Sequence, residues 1–248
     1  MDIEVSSSPS VSVCMATYNG DKFIEEQIES ILSQLGPSDE LVISDDGSDD
    51  TTLQILETVA RRDSRVKVLK GPKNGLIKNF ENALKHARGE LIFLSDQDDV
   101  WLPGRVDAAI KKHKTHATVV VNACVIDQDS NMLAPQVYYE NTFKYKPFKT
   151  LIVNRYIGCT MSFRADVLKR CLPFPDNIPM HDWWIGLTSE LYFETAMIAE
   201  SFVKYRRHGK NVTQTLGKST NTFLTKVKYR INLLIAVVTS RLGAKRES

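Results

Sequence analysis

Apolar and polar positions along the first part of the chain repeat in an order that predicts alternating strands and helices. Short apolar runs are typical of buried strands, and each is followed by a segment whose apolar residues recur three or four positions apart, as on one helix face. This alternation with short loops predicts βαβ units, a parallel sheet and right-handed crossovers. The predicted strands are Val11–Ala16, Leu41–Ser44, Val66–Leu69 and Leu91–Ser95.

The pattern is less regular beyond Trp101. The stretch from Pro135 to Phe148 is aromatic and basic with little periodicity. It either lies over a site or a partner, or is a surface connection, and the sequence leaves both interpretations open. The other predicted elements are a helix through Val106–Ile110, strands at Val119–Asn122, Gly158–Phe163 and Ala196–Tyr205, a hairpin turn at Asp127–Asn131, and a helix that opens near His181.

A basic segment without acidic residues follows the last predicted strand. No Asp or Glu occurs from Phe202 to Arg246, and Lys226, Arg230 and Arg241 flank an apolar stripe at helical spacing. Such a helix lies on an anionic membrane or caps the protein's own core, and both interpretations stay open. The residues of the stripe are Phe223, Val227, Ile231, Leu234, Val238 and Leu242.

Composition sets bounds on this picture. With 248 residues, of which 42% are hydrophobic, the chain suits one large α/β domain with an extension, and general disorder is excluded. A net charge of +2 favours neither nucleic acid nor membrane as a partner. The four cysteines have no paired spacing, which indicates a reducing compartment, and the Met-Asp-Ile-Glu start has no secretory leader. We therefore expect a cytoplasmic protein that does not bind nucleic acid.

Three acidic residues, Asp96, Asp98 and Asp99, directly follow the apolar run at Leu91–Ser95. Three like charges at one turn repel each other unless a cation lies among them, and phosphate oxygens are usual co-ligands of such a cation. At the carboxyl end of a parallel strand, the cation would face the ligand crevice. The alternative is a solvated acidic turn, which the apolar run before it disfavours.

Two further residues carry candidate chemistry. Asp182 stands beside Trp183 and Trp184, where a low dielectric raises the proton affinity of a carboxylate and suits a general base. The alternative is a helix N-cap with core tryptophans. His208 lies among cationic residues, which would bind a diphosphate favourably. The alternative is a structural role, which is more common for a lone histidine. The sequence contains neither a Gly-x-Gly-x-x-Gly after its first strand nor a Gly-Lys-Ser/Thr phosphate loop.

Taken together and in this order, the motifs of this chain resemble those of the family 2 glycosyltransferases. The resemblance is to the branch of bacterial enzymes that build O-antigen and other surface polysaccharides by rhamnosyl or glucosyl transfer. One departure is Thr213–Gln214, where relatives often continue with a small residue and glycine. The segments that carry the resemblance are Val13–Gly20, Ser44–Ser48, Asn74–Gly75 with Asn79, Ser95–Trp101, Gly158–Thr160, His181–Trp184 and Tyr205–Asn211.

The resemblance implies an α/β fold: a single Rossmann-like nucleotide-binding domain of the A-type glycosyltransferase fold, with a mostly parallel central sheet and a C-terminal helical extension. Residues 1–215 would form the transferase domain. Its nucleotide-sugar-binding half would be 1–101 and its acceptor-binding half 102–215, and residues 216–248 would be the basic amphipathic helix.

The resemblance also implies a role for each candidate residue. Asp182 would be the base that deprotonates the acceptor hydroxyl. Asp98, Asp99 and His208 would hold Mn²⁺ or Mg²⁺. The donor would contact Thr17, Tyr18, Asn19, Asp45, Asp46, Asn79 and Asp96, and the acceptor would contact Gly158, Cys159, Thr160 and Trp183.

The expected activity is inverting transfer of a sugar from UDP or dTDP to a hydroxyl of a lipid-diphosphate-linked glycan. Asp45 and Asp46 can accept from the N3–H of uracil or thymine, and one base without a nucleophile implies inversion. The basic C-terminal segment suits peripheral contact with the cytoplasmic face of the inner membrane. Two alternatives are a non-catalytic nucleotide-sugar-binding module and, less favoured, an Asp-dependent phosphatase.

Overall fold

The computed structural model describes residues 8–139, 147–209 and 222–244. The strands are β1 (Val11–Thr17), β2 (Glu40–Asp45), β3 (Val66–Lys70), β4 (Leu91–Ser95), β5 (Val100–Trp101), β6 (Thr118–Ile126), β7 (Met132–Ala134), β8 (Met161–Arg164) and β9 (Thr195–Arg206). The helices are α1 (Ile24–Leu32), α2 (Thr52–Arg62), α3 (Gly75–Lys85), α4 (Arg105–His113), α5 (Pro147–Ile152), α6 (Ala165–Cys171), α7 (His181–Tyr192) and α8 (Phe223–Ala244).

The first four predicted strands form the parallel half of a nine-stranded sheet, in the order β3-β2-β1-β4. Every residue of β1 and β4 is buried, because helices cover both faces of these strands. Successive side chains alternate between two cores. Val13 and Met15 join the core of α1, α2 and α4, whereas Cys14 and Ala16 join that of α3, α6 and α7. The predicted α/β architecture is confirmed.

The second half of the sheet is mixed. Strand β8 runs antiparallel between β4 and β6, β9 runs parallel to β6, and β5 pairs antiparallel with β9. The hairpin predicted at Asp127–Asn131 is confirmed between β6 and β7. One prediction needs correction, and one strand was missed. Gly158–Thr160 form a 3-10 turn, so the strand begins only at Met161, and Val100–Trp101 form a strand that was not predicted.

The strand directions bring the candidate residues to one edge of the sheet. Strands β1, β2 and β4 are parallel and end there at Thr17, Asp45 and Ser95. Strand β9 has the same direction and ends at Arg206. Because β8 is antiparallel, its start and the turn at Gly158–Thr160 lie at this edge too. Ligands of open α/β sheets bind at this carboxyl edge.

Helix α8 packs through a different face from the predicted apolar stripe. Leu233 and Ala236 are buried, and the Arg230 guanidinium donates to the carbonyl of Ile152 at the end of α5. Among the described residues, no helix combines the length and the apolar character needed to cross a bilayer. The large apolar side chains that α8 leaves exposed are Phe223, Leu224, Ile231, Leu234, Ile235 and Val238.

Candidate active site

A cavity of about 730 Å³ opens at the carboxyl edge of the sheet. Strand ends from both halves of the sheet contribute to its wall, together with α3 and the first turn of α7. Its volume is in the range of sites that enclose a small ligand. The predicted site residues that line it are Thr17, Tyr18, Asn19, Asp46, Asn79, Asp96, Asp98, Gly158, Asp182 and His208.

The turn after β2 divides the predicted roles of Asp45 and Asp46. Asp45 is buried, and its Oδ1 accepts from the backbone N–H groups of Gly47 and Ser48 at 3.0 and 2.9 Å. Asp46 lines the cavity, where Oδ2 accepts from the N–H of Gly75 at 2.8 Å. Asp45 therefore fixes the turn that presents Asp46, rather than facing the cavity itself.

A side chain that was not predicted, Gln97, joins the ends of β1 and β4. Its Oε1 accepts from the Thr17 hydroxyl at 2.6 Å and from the Tyr18 N–H at 2.9 Å, and its Nε2 donates to the Tyr18 carbonyl at 3.1 Å. The Tyr18 side chain is 55% exposed at the cavity wall. An aromatic ring held in this way can stack on a planar base.

The acidic loop after β4 places its carboxylates in two groups. The Asp98 carboxylate is 2.7 Å from Nε2 of His208. Asp96 and Asp99 lie with Cys159, and the ligand atoms of these three residues are all within 4.8 Å of one another. The predicted set Asp98, Asp99 and His208 is thus split, and Cys159, predicted to contact the acceptor, joins the acids instead.

Burial and mutual repulsion set the protonation of these acids. Burial first, and then the charge of Asp98, raises the pKa of Asp99 to about 7. The same causes, with Asp99 as the strongest neighbouring charge, raise the pKa of Asp96 well above its usual value. The buried Arg105 guanidinium lies beneath them, with its Nη2 2.6 Å from the carbonyl oxygen of Cys159.

The donor set fits a divalent cation. Asp99 accepts one hydrogen bond at Oδ1 from the N–H of Arg206, at 2.9 Å. Its buried Oδ2 has no hydrogen-bond partner among the described residues. An open carboxylate oxygen among further acids suits a hard cation, and an imidazole or thiol nearby favours Mn²⁺ over Mg²⁺.

Asp182 lies in the first turn of α7 and lines the cavity while being only 7% exposed. Its carboxylate accepts from the Asn154 amide at 3.1 Å, the Trp183 N–H at 2.6 Å and the Gly158 N–H at 3.2 Å. Burial raises its pKa to about 6 although these bonds lower it. Of the alternative, the N-cap is wrong, because the N-cap position is Met180, whereas the core tryptophans are confirmed, since Trp183 and Trp184 are both buried.

The remaining predicted acceptor residues lie behind the cavity wall. The Thr160 hydroxyl bonds the Ile157 carbonyl at 2.7 Å and the Tyr138 hydroxyl at 3.1 Å. Trp183 donates from its indole N–H to the carbonyl of Thr150. Gly158 is the one of the four predicted acceptor residues that reaches the wall. The other three do not line the cavity, and Thr160 and Trp183 already use their polar side-chain atoms in bonds within the protein.

Sequence reasoning missed Gln97 and Asn154 for different reasons. Gln97 stands between Asp96 and Asp98, so its place at the site could have been read from the acidic motif. Asn154 carries no such signal, because it lies 28 residues before the carboxylate that it binds. Its contact with Asp182 exists only once α5 and α7 pack together.

Comparison with solved structures identifies the fold. Staphylococcus aureus TarS 1-349, in complex with UDP-GlcNAc, has a TM-score of 0.66 and 23% identity, covering 82% of this chain and 60% of its own. The Pyrobaculum calidifontis mannosyltransferase PcManGT, in complex with GDP-Man and Mn²⁺, has a TM-score of 0.61 and 19% identity, covering 98% and 66%. The predicted A-type glycosyltransferase fold is confirmed.

Sequence comparison gives the family. The putative glycosyltransferase EpsE of Bacillus subtilis is 36% identical over 129 residues, 50% of this chain and 46% of the relative. The GalNAc(5)-diNAcBac-PP-undecaprenol beta-1,3-glucosyltransferase of Campylobacter jejuni is 30% identical over 126 residues, 50% of this chain and 41% of the relative. The chain thus spans less than half the length of these two relatives. The model of glycosyl transferase family 2 matches residues 12–172, and the chain therefore belongs to this family.

Proposed function

We propose that this protein is an inverting glycosyltransferase that moves a sugar from a pyrimidine nucleotide diphosphate to a hydroxyl of a lipid-linked glycan in bacterial surface polysaccharide synthesis. The observation that carries the proposal is the buried Asp182 carboxylate, which shares one cavity with the acidic loop after β4. A carboxylate of raised pKa suits proton abstraction, and clustered acids suit a cation bound to a diphosphate.

In this proposal Asp182 takes the proton of the acceptor hydroxyl as the oxygen attacks the anomeric carbon, and the nucleotide diphosphate leaves from the opposite face. No second carboxylate is required as a nucleophile, and the configuration inverts. Asp46 accepts from the N3–H of the base, and Tyr18 stacks on its ring. Asp96, Asp98, Asp99 and His208 supply the candidate ligands of Mn²⁺ or Mg²⁺. When bound, that cation stabilises the charge of the departing diphosphate.

The chemistry of relatives supports the substrate classes. TarS is in complex with UDP-GlcNAc, and the Campylobacter relative is named for an acceptor linked to undecaprenol by a diphosphate. The mannosyltransferase neighbour binds GDP-Man, so preference for a pyrimidine base is a property to be measured in this chain. The proposed peripheral contact with a membrane rests on the exposed apolar face of α8 and its cations Lys226, Lys228 and Arg230.

The test combines a donor screen with the substitution Asp182→Asn. We expect UDP- or dTDP-sugars to bind better than GDP-sugars, and Asp182→Asn to lower transfer by roughly 10²–10⁴-fold with donor binding nearly unchanged. Asp107→Asn, an exposed acid in the first turn of α4, is the matched control and should transfer normally.

Wild-type transfer by Asp182→Asn would contradict the assigned base. Binding of sugar nucleotides with neither transfer nor hydrolysis would favour the non-catalytic module. Release of phosphate from simple monoesters would favour the phosphatase.

A further inference from the structure

His181 is a buried imidazole in the wall of the cavity, and it was not assigned a role above. The side chain is 2% exposed and lines the same cavity as Asp182. Neither of its ring nitrogens has a hydrogen-bond partner among the described residues. Buried polar groups without partners are rare in folded proteins, because leaving them unpaired destabilises the fold. A bound ligand would supply the hydrogen bonding that these nitrogens lack within the protein.

Neighbouring residues pack against the imidazole ring but do not hydrogen-bond its nitrogens. The ring stacks on Phe80 of α3, with centroids 4.0 Å apart and planes 23° apart. On its other side lies Gly158, where a Cβ atom would come within 3.0 Å of Nε2. A larger residue at 158 would crowd the imidazole, so a glycine is needed for the ring to pack at this position. A ring held between Phe80 and Gly158 has its position set before a ligand binds.

The neighbours of His181 place it where the two substrates of the proposed reaction meet. Asp182, the proposed base for the acceptor hydroxyl, follows it directly on α7. Phe80 is adjacent in sequence to Asn79, a predicted donor contact that lines the same cavity. The buried Oδ1 of Asn79 also has no hydrogen-bond partner among the described residues.

The protonation state of the His181 ring limits which chemical groups can hydrogen-bond to it. Burial lowers the pKa of His181 to about 3, so the imidazole is neutral near pH 7. A neutral imidazole has one N–H donor and one acceptor nitrogen. A phosphate oxygen could use only the donor, and a cation only the acceptor. A hydroxyl group can bond either nitrogen, because it accepts from the N–H and donates to the bare nitrogen, and it is the abundant group of a sugar.

We propose that His181 is a specificity-determining residue that hydrogen-bonds a hydroxyl group of a sugar in the cavity. This inference rests on the proposed glycosyl transfer. The hydroxyl belongs either to the transferred sugar of the donor or to the acceptor glycan, and the two sources are separated by experiment.

The test uses His181→Phe, which keeps an aromatic ring against Phe80 and removes both nitrogens, with His181→Asn as the variant that restores one donor and one acceptor. His181→Phe should bind UDP as the wild type does, and kcat/KM for transfer should fall about 10-fold, as expected for one lost hydrogen bond. His181→Asn should recover part of this loss. The melting temperature of His181→Phe should rise, because the unpaired nitrogens are gone.

A second buried histidine serves as the matched control. Both ring nitrogens of His113 are bonded, Nδ1 to the His116 carbonyl at 3.1 Å and Nε2 to the Ser162 hydroxyl at 2.9 Å. His113→Phe should therefore lower the melting temperature and leave KM for both substrates unchanged. The melting temperature should rise in His181→Phe and fall in His113→Phe, and this difference distinguishes an unpaired imidazole from a structural one.

Two arms identify the source of the hydroxyl. If the hydroxyl belongs to the donor, wild-type protein binds the UDP-sugar more tightly than UDP, and His181→Phe should reduce this difference. A donor that lacks the hydroxyl should then bind His181→Phe as tightly as the complete donor does. If it belongs to the acceptor, donor binding should be unchanged and KM for the acceptor should rise.

His181→Phe with wild-type kcat/KM and wild-type affinity for both substrates would overturn the inference. A loss of transfer that simply follows a loss of UDP affinity or of folding would overturn it as well. By contrast, a wild-type protein that binds UDP-sugars but never transfers or hydrolyses them would overturn the proposed function, and that result does not depend on residue 181.

Discussion

At the scale of single residues, the environment of Asp182 gives its ionisation a measurable signature. Burial raises the pKa of this carboxyl from its usual value to about 6. A general base works in its ionised form, so transfer should rise with pH through about 6 and reach a plateau above it. We expect log kcat/KM to fall with a slope of one on the acid side. A rate that is flat from about pH 5 to pH 8 would contradict this role.

Asn154 allows the same profile to be tested at a second residue. Its amide donates to Oδ1 of Asp182, and this bond favours the ionised form. Asn154→Ala should therefore move the midpoint of the profile to higher pH, with a larger loss of transfer at pH 6 than at pH 8.

Asn232→Ala is the control for Asn154→Ala, because Asn232 donates a comparable amide bond to the carbonyl of Asn177, outside the residues that line the cavity. Its midpoint should match that of the wild type. A midpoint that stays in place or moves down in Asn154→Ala would show that the amide does not act through the base.

At the scale of elements, the loop from β4 to β5 concentrates negative charge that a cation would relieve. Mn²⁺ should raise the melting temperature of the wild type, since a ligand at 100 times its Kd adds about 2.7 kcal/mol to the free energy of unfolding. Asp99→Asn keeps an oxygen for the Arg206 N–H but loses a charge at the unpartnered Oδ2. This variant should be more stable without metal and should respond weakly to Mn²⁺.

The measurements are thermal unfolding and transfer, each in EDTA and in Mn²⁺ or Mg²⁺. Asp107→Asn again serves as the control and should respond to Mn²⁺ as the wild type does. Full transfer in excess EDTA by protein shown to be free of metal, with no shift in melting temperature on adding Mn²⁺, would refute the cation site.

The elements also show what the sequence could and could not predict. Strands β1, β2 and β4 were predictable because both of their faces are covered, which leaves near-continuous apolar runs. Strand β5 was not, since two residues, Val100 and Trp101, have no periodicity and pair only with β9, which lies about a hundred positions later. The turn at Gly158–Thr160 directly precedes β8, and its local bond from the Thr160 hydroxyl to the Ile157 carbonyl has no signal in the apolar pattern.

The candidate site follows the same physical division. Residues that directly follow a strand, such as Asp46 and Asp96, could be placed at the cavity because strand ends share one edge. Whether a side chain faces the cavity could not be predicted in the same way: Asp45 turns inward to accept bonds within its own turn, and Cys159 lies beside Asp96 and Asp99 through tertiary packing. A sequence motif predicts the region of the site, but the folded structure determines which side chains face the cavity.

At the scale of the whole molecule, α8 presents one face to the protein and another, apolar and flanked by cations, to its surroundings. Double substitution of Leu234 and Ile235 by Glu should abolish most pelleting with anionic vesicles, because two large apolar contacts of about 1.5–3 kcal/mol each are lost and two negative charges are added. Transfer to a water-soluble acceptor should be unchanged.

Met132→Glu is the control for this experiment, because Met132 is also apolar and at least as exposed as Leu234 and Ile235 but lies on β7. It should pellet with vesicles as the wild type does. Equal binding of the double variant to anionic vesicles would show that the exposed face of α8 is not a membrane contact.

The pairing of β4 with β8 also fixes the placement of the candidate catalytic groups. Three residue pairs, Leu91 with Arg164, Ile92 with Phe163 and Phe93 with Ser162, join the two halves of the sheet into one continuous body. A hydrogen-bonded sheet has no hinge along this seam, so the spacing between the acidic loop and Asp182 is set during folding. The entropic cost of placing the acidic loop and Asp182 relative to each other is met once, when the chain folds, whereas the cost of ordering each substrate is met by its binding at every turnover.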